Sequence, residues 1–314
     1  MNILLVVDGS SYSGVANRIL EAFHLPNRTR VTVMTVVPEH TFLGGVTLGK
    51  LRGNAASKVE QQQKALELVQ GLAEILGSTQ LKVESMVRWG NPAGEILKEA
   101  DKSGASLIVM GAKGLTDPLS FRLGSVAQTV LKHAKSSVML VRETMATKGG
   151  AAPVNRTSLN RVLLATDGSN YSEAVTQLLL DLPLPRRCEV IVITALQSHL
   201  TAWVKTPTLD FQTNQELLAR LQEAEEGEAR KITTRSEKQL QARGYRTASV
   251  VIRGGAAESI LAAAKEYKPD IIALGSRGLT GIESLLLGSV AERVARYANC
   301  SVLIGRPSPK TGTK

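Results

Sequence analysis

Short runs of consecutive apolar residues alternate along the chain with longer stretches whose apolar positions recur at helical spacing. The runs predict strands near 2–7, 30–36, 80–88, 106–111 and 137–141. They resume near 161–166, 188–195, 245–252, 270–275 and 300–304. Several are rich in β-branched residues, as at Val31, Val33 and Val36, and again from Val190 to Ile193, which favours strand. Between the second and third runs, Val59, Leu66, Val69, Ala73 and Ile75/Leu76 keep helical spacing. They predict a helix over 53–77. A longer, more charged stretch over 212–243 takes the same place later on. Regular alternation of strand and helix implies parallel strands, right-handed crossovers and helices on both faces. Near-continuous apolar strands suit a sheet buried on both sides.

The second set of elements is a copy of the first. Ile3-Leu4-Leu5-Val6-Val7-Asp8-Gly9-Ser10 returns as Val162-Leu163-Leu164-Ala165-Thr166-Asp167-Gly168-Ser169. Gly111-Ala112-Lys113-Gly114-Leu115-Thr116 returns as Gly275-Ser276-Arg277-Gly278-Leu279-Thr280. Leu123-Gly124-Ser125-Val126-Ala127 returns as Leu287-Gly288-Ser289-Val290-Ala291. The spacing is 159 residues from Asp8 to Asp167 and 164 from Gly111 to Gly275, so the second copy carries five extra residues between them. Motifs recurring in one order over this distance indicate duplication. The expected organisation is a domain over 1–143, a linker over 144–159 around Gly149-Gly150-Ala151-Ala152-Pro153, a domain over 160–306 and a flexible tail over 307–314.

Composition narrows the classes. Hydrophobic residues make up 43% and charged residues 21%, as in ordinary globular proteins. No apolar run approaches the roughly 20 residues of a membrane span. The run Met1–Val7 is too short for a secretory signal and ends in Asp8-Gly9-Ser10. A cytoplasmic protein is expected. The two cysteines, Cys188 and Cys300, make neither a disulfide framework nor a zinc site and read as buried thiols. The net charge is +10. The basic residues are dispersed and aromatics are few, which argues against nucleic acid as the main partner.

The chemistry gathers at two strand ends. In doubly wound sheets, ligands bind beyond the carboxyl ends of the strands where the strand order reverses. Asp8 and Asp167 follow the first strand of each copy, and Gly111 and Gly275 end the fourth. The loop reads G-x-x-G, nine residues, then G-S-V, at Gly111, Gly114, Gly124, Ser125 and Val126, and at Gly275, Gly278, Gly288, Ser289 and Val290. Glycine permits positive φ and close backbone approach. The helix opening at G-S-V offers free N–H groups to an anion. Ser125 and Ser289 can donate to a phosphate or cap the helix. Lys113 and Arg277 can neutralise phosphate charge. Asp8 and Asp167 can accept from a ribose or an adenine amine, or can make an Asx-turn or N-cap.

With D-G-S after the first strand and G-x-x-G-x9-G-S-V after the fourth, the chain resembles the universal stress protein family, in its ATP-binding branch. The resemblance spans both copies. It implies two tandem doubly wound five-stranded parallel sheets, each in the order 3-2-1-4-5, and pairing of domains through their last strands, within one chain or in a homodimer. It also implies ATP, with ADP or AMP as related ligands and Mg or Mn carried on the phosphates. By position, the first pocket would use Val6, Asp8, Val36, Met110, Gly111, Lys113, Gly114, Gly124, Ser125 and Val126. The second would use Ala165, Asp167, Ala195, Leu274, Gly275, Arg277, Gly278, Gly288, Ser289 and Val290. The first loop departs from the pattern with Asp117-Pro118 and Arg122; the second, with Gly281 and Leu285-Leu286-Leu287, follows it more closely.

Catalysis needs a positioned acid, base or nucleophile. His24, His40, His133 and His199 share no repeat position. A nucleotide-binding protein of stress response and signalling, with an unidentified protein partner, is therefore expected. A slow ATPase or nucleotidyl transferase and a nucleotide-free scaffold are the alternatives.

Overall fold

The computed structural model describes residues 1–39, 58–77, 81–114, 123–142, 159–196, 211–279 and 287–307. The chain divides into two compact units, meeting in sequence at Glu143 and Thr144. In the first, β1 (Asn2–Val6), α1 (Ser11–Ala22), β2 (Arg30–Pro38), α2 (Lys58–Gly77), β3 (Lys82–Gly90), α3 (Pro92–Ser103), β4 (Leu107–Gly111), α4 (Ser125–His133) and β5 (Ser137–Val141) follow one another. In the second, the order is β6 (Arg161–Ala165), α5 (Asn170–Asp181), β7 (Glu189–Leu196), α6 (Phe211–Gln241), β8 (Arg246–Arg253), α7 (Ala256–Tyr267), β9 (Ile271–Gly275), α8 (Ser289–Tyr297) and β10 (Ser301–Gly305).

Among the described residues, each unit holds five parallel strands. In the first, β2 pairs with β3 and β1, and β4 pairs with β1 and β5, giving the order 3-2-1-4-5. The second repeats it, with β7 between β8 and β6, and β9 between β6 and β10. Right-handed crossovers run outward from the first strand to the third and then return past the first. The point of reversal therefore lies between β1 and β4, and between β6 and β9. Successive side chains of a strand point to opposite faces. Ile3, Leu4 and Leu5 are each at most 2% exposed, so both faces of the sheet are covered there. Removing one such side chain to alanine would cost about 2–5 kcal/mol. The outer strand β3 exposes Lys82, Glu84 and Ser85 instead.

The helix between the second and third strands differs between units. In α2 the stripe Ala65, Val69 and Leu76 is buried. Val59, expected on that stripe, is 78% exposed, and Ile75 is 51% exposed; they fall on the outer face while Ala65 and Leu76 face inward. In α6, of 31 residues, the first buried position among those described is Ala229. Its leading turns expose Leu217 and Leu221. Leu159, expected to close the linker, is already buried. The rest of that linker and the tail from Ser308 lie outside the described residues.

Candidate functional site

The first turn of each unit is built from Asp-Gly-Ser. Asp8 Oδ1 accepts from the Ser10 N–H at 3.0 Å, and Asp167 Oδ1 from the Ser169 N–H at 3.0 Å. These are Asx-turns, so the aspartates fold the turn and do not cap the helices. The N-caps are Ser10 and Ser169. The glycine between them carries the backbone strain. Gly9 has φ +78° and Gly168 +76°, a region glycine enters without a Cβ clash.

The G-x-x-G loops owe their glycines to something else. Gly124 and Gly288, as N-caps, have φ of −71° and −79°. Among the described residues, none of Gly111, Gly114, Gly275 and Gly278 has positive φ. The expectation of positive φ there is corrected: close approach is the reason. A Cβ on Gly275 would meet Tyr171 C at 2.7 Å and Ser172 N at 2.9 Å, the backbone of α5. One on Gly278 would meet Asp167 Oδ2 at 2.7 Å. One on Gly288 would meet Ser276 O at 3.2 Å. A bulky residue at Gly288 would therefore shift the loop itself, whatever binds there.

The loop closes on the helix the same way in both units. Ala112 N–H donates to Val141 O, and Gly124 N–H to Ala112 O. Ser276 N–H donates to Gly305 O, and Gly288 N–H to Ser276 O, both at 2.8 Å. These bonds lay the start of α4 and α8 against the ends of β4 and β9. Ser125 and Ser289 are the first helical residues and are exposed. The capping role expected of them is corrected, because glycine occupies the N-cap with no side-chain cap bond. The leading N–H groups of such a helix have no partner within the helix.

Positive charge lies beside the second loop. Arg277 Nη1 donates to Tyr171 Oη at 2.7 Å, with its Cζ 5.2 Å from the centre of that ring. Arg277 Nε is buried without a hydrogen-bond partner among the described residues. Burial holds the Arg306 guanidinium down to about 10, with the Arg277 charge as a further cause. Both cations sit where β9 and β10 end. By spacing, Lys113 and Arg142 are their counterparts in the first unit, and both are half-buried.

The remaining candidates line strand ends. Val6 pairs in register with Met34 and Met110, and Ala165 with Ile193 and Leu274. Val36 lies two residues beyond Met34, and Ala195 two beyond Ile193, so they hold equivalent places. Val6, Val36 and Ala195 are partly exposed. Met110, Ala165 and Leu274 are at most 7% exposed and pack within the sheet. Val126 and Val290 are half-buried, one residue into α4 and α8. Asp117, Pro118, Arg122, Gly281 and the leucines at 285 and 286 lie outside the described residues. His24 and His133 are exposed; His40 and His199 also lie outside. Sequence reasoning missed Tyr171 and Arg306, which the topology brings to the loop. The repeated D-G-S-x-Y was the available signal for the tyrosine.

Fold and loop together define a class: a doubly wound α/β domain, present twice, with a glycine loop at the switch point of its sheet. The chain belongs to the universal stress protein family, whose family model matches residues 1–142 and 158–306. It is 27% identical over 322 residues to a universal stress protein of Mycolicibacterium smegmatis, with 97% of each chain covered. It is 30% identical over 150 residues to one of Methanocaldococcus jannaschii, across 48% of this chain and 84% of that one. The crystal structure of a universal stress protein from Archaeoglobus fulgidus superposes over 98% of this chain and 96% of its own, with a TM-score of 0.60 at 21% identity. That last likeness is one of fold. Among the described residues no helix is long and apolar enough to cross a membrane.

Proposed function

We propose that each unit binds an adenine nucleotide, ATP foremost, and that the protein acts as a nucleotide-dependent signalling protein of stress response. One observation supports this most: the same loop-to-helix closure, glycine N-cap included, recurs in both units at the switch point. A glycine N-cap with no side-chain acceptor leaves the leading N–H groups of α4 and α8 for a phosphate, and the helix dipole favours its charge. Arg277 and Arg306 add two cations beside the second loop. Val36 and Ala195, partly exposed at the second-strand ends, offer an apolar wall for a base. A divalent ion, Mg or Mn, would ride on the phosphates. In this reading the chain's own residues bind and orient the nucleotide, and its occupancy is the signal. The cytoplasm is the compartment this reading calls for.

A phosphate series tests it. Calorimetry with adenosine, AMP, ADP and ATP should give affinity rising with each phosphate. Equal affinity for adenosine and ATP would remove the phosphate cradle. Release of labelled phosphate in single turnover would move the reading to a slow ATPase.

A further inference from the structure

Asp167 makes a second bond that its turn does not require. While Oδ1 accepts from Ser169 in its own turn, Oδ2 accepts from the Leu279 N–H at 3.0 Å, in the loop after β9. The two amides belong to segments 110 residues apart in the chain. The carboxylate thus joins the end of β6 to the glycine loop. Gly278, immediately before Leu279, is the residue whose Cβ would collide with that same oxygen at 2.7 Å. Its backbone angle does not call for glycine. The Leu279 amide and the missing side chain of Gly278 thus both lie against one carboxylate oxygen.

We infer that Asp167 is a positioning residue that clasps the glycine loop to the first turn, and that Gly278 is glycine in order to admit the clasp. The proposal rests on the nucleotide reading in one respect only. The loop held by Asp167 carries Arg277 and receives Gly288 through Ser276, so the clasp sets the cradle's shape before any ligand arrives. The side chain of Leu279 stands 73% exposed beside the clasp, so opening the clasp moves an apolar side chain at the surface. In the first unit Asp8 makes the matching Asx-turn; Leu115, the counterpart of Leu279, lies outside the described residues.

Hydrogen exchange of the Ser169 and Leu279 amides, read by NMR on the full chain without ligand, tests the clasp. Asp167→Ala should speed exchange at both amides, at Leu279 by about tenfold, the worth of one hydrogen bond to a charged group. Asp167→Asn keeps one carbonyl oxygen and turns the other position into a donor, so exactly one of the two amides should lose protection. Gly278→Ala should speed exchange at Leu279 in the wild-type background and add nothing in the Asp167→Ala background. Unchanged Leu279 exchange in Asp167→Ala would overturn the proposal, as would a Gly278→Ala effect of the same size in both backgrounds. Failure of nucleotide to bind leaves these measurements intact, which separates the two readings. Where ATP binds, its affinity should fall in step with Leu279 protection across the variants. Affinity lost in Asp167→Ala with Leu279 exchange unchanged would make Asp167 a ligand contact alone.

Discussion

Thr166 Oγ1 lies 3.2 Å from Ser172 Oγ, joining the end of β6 to the first turn of α5. The pair anchors a small web. Gly168 N–H donates to Thr166 Oγ1, Ser172 Oγ donates to Ser169 O, Ser172 N–H donates to Ser169 Oγ, and Thr194 Oγ1 donates to Thr166 O. In the first unit the position of Thr166 is held by Val7, which is buried. No hydroxyl stands there, and Ser10 Oγ is buried with no hydrogen-bond partner among the described residues. The two first turns share a sequence motif but differ in how far their polar atoms are satisfied.

Replacing Thr166 by valine therefore strips acceptors and donors from a buried web. Unsatisfied buried groups cost about 1–3 kcal/mol each. Thr166→Val should lower stability by about 1–2 kcal/mol in urea unfolding. Ser10→Ala, which removes an unpartnered hydroxyl, should be neutral or mildly stabilising. Equal losses in the two variants would contradict the contrast between the turns.

Cys188 is fully buried, and its thiol is pushed up to about 12, chiefly by burial and further by the charges of Asp270 and Glu189. The thiolate is the reactive form. In the native protein Cys188 should resist a thiol reagent at neutral pH and react only on unfolding. The sign of the pH effect follows from the raised value. The unfolded chain loses this proton near 9 while the folded chain keeps it to about 12. This contribution to stability is present below pH 9 and lost as pH climbs through that window. Stability from urea melts between pH 8 and 11 should fall; a rise that Cys188→Ala abolishes would contradict the assignment.

Arg277 bears on ligand charge. If its guanidinium meets phosphate, Arg277→Gln should weaken ATP binding at the second site about tenfold, since a charge-assisted bond is worth roughly 1.5–3 kcal/mol. Adenosine binding should be unchanged. Calorimetry of both ligands on both proteins reads this directly. Equal loss for ATP and adenosine would place Arg277 in loop architecture, through Tyr171, and away from the phosphates.

The fold was legible because strands and repeats leave strong marks. All ten expected strands lie within two residues of the observed ones, and the order 3-2-1-4-5 is observed in both units. The loops were legible in place and misread in cause. Spacing alone reveals neither a backbone angle nor a neighbour, so the loop glycines read equally as sites of positive φ or of close approach, and the structure shows close approach, of Gly275 to Tyr171 and of Gly278 to Asp167, from distant segments. Ser125 and Ser289 carry a cap-forming residue type, yet the preceding glycine holds the cap. Val59 fits the helical period of α2, but the period does not say where the sheet's cover ends. Tyr171 and Arg306 reach the loop through packing of α5 and β10 against β9; the repeated D-G-S-x-Y marks the tyrosine as recurring but does not say which loop it meets.

Equilibrium dialysis of the intact chain against labelled ATP tests the central claim most directly. The account predicts saturable binding at two sites per chain, with Asp167→Ala reducing the bound fraction at the second. No binding of ATP at millimolar concentration, with ADP, AMP and cyclic AMP equally inert, would contradict it.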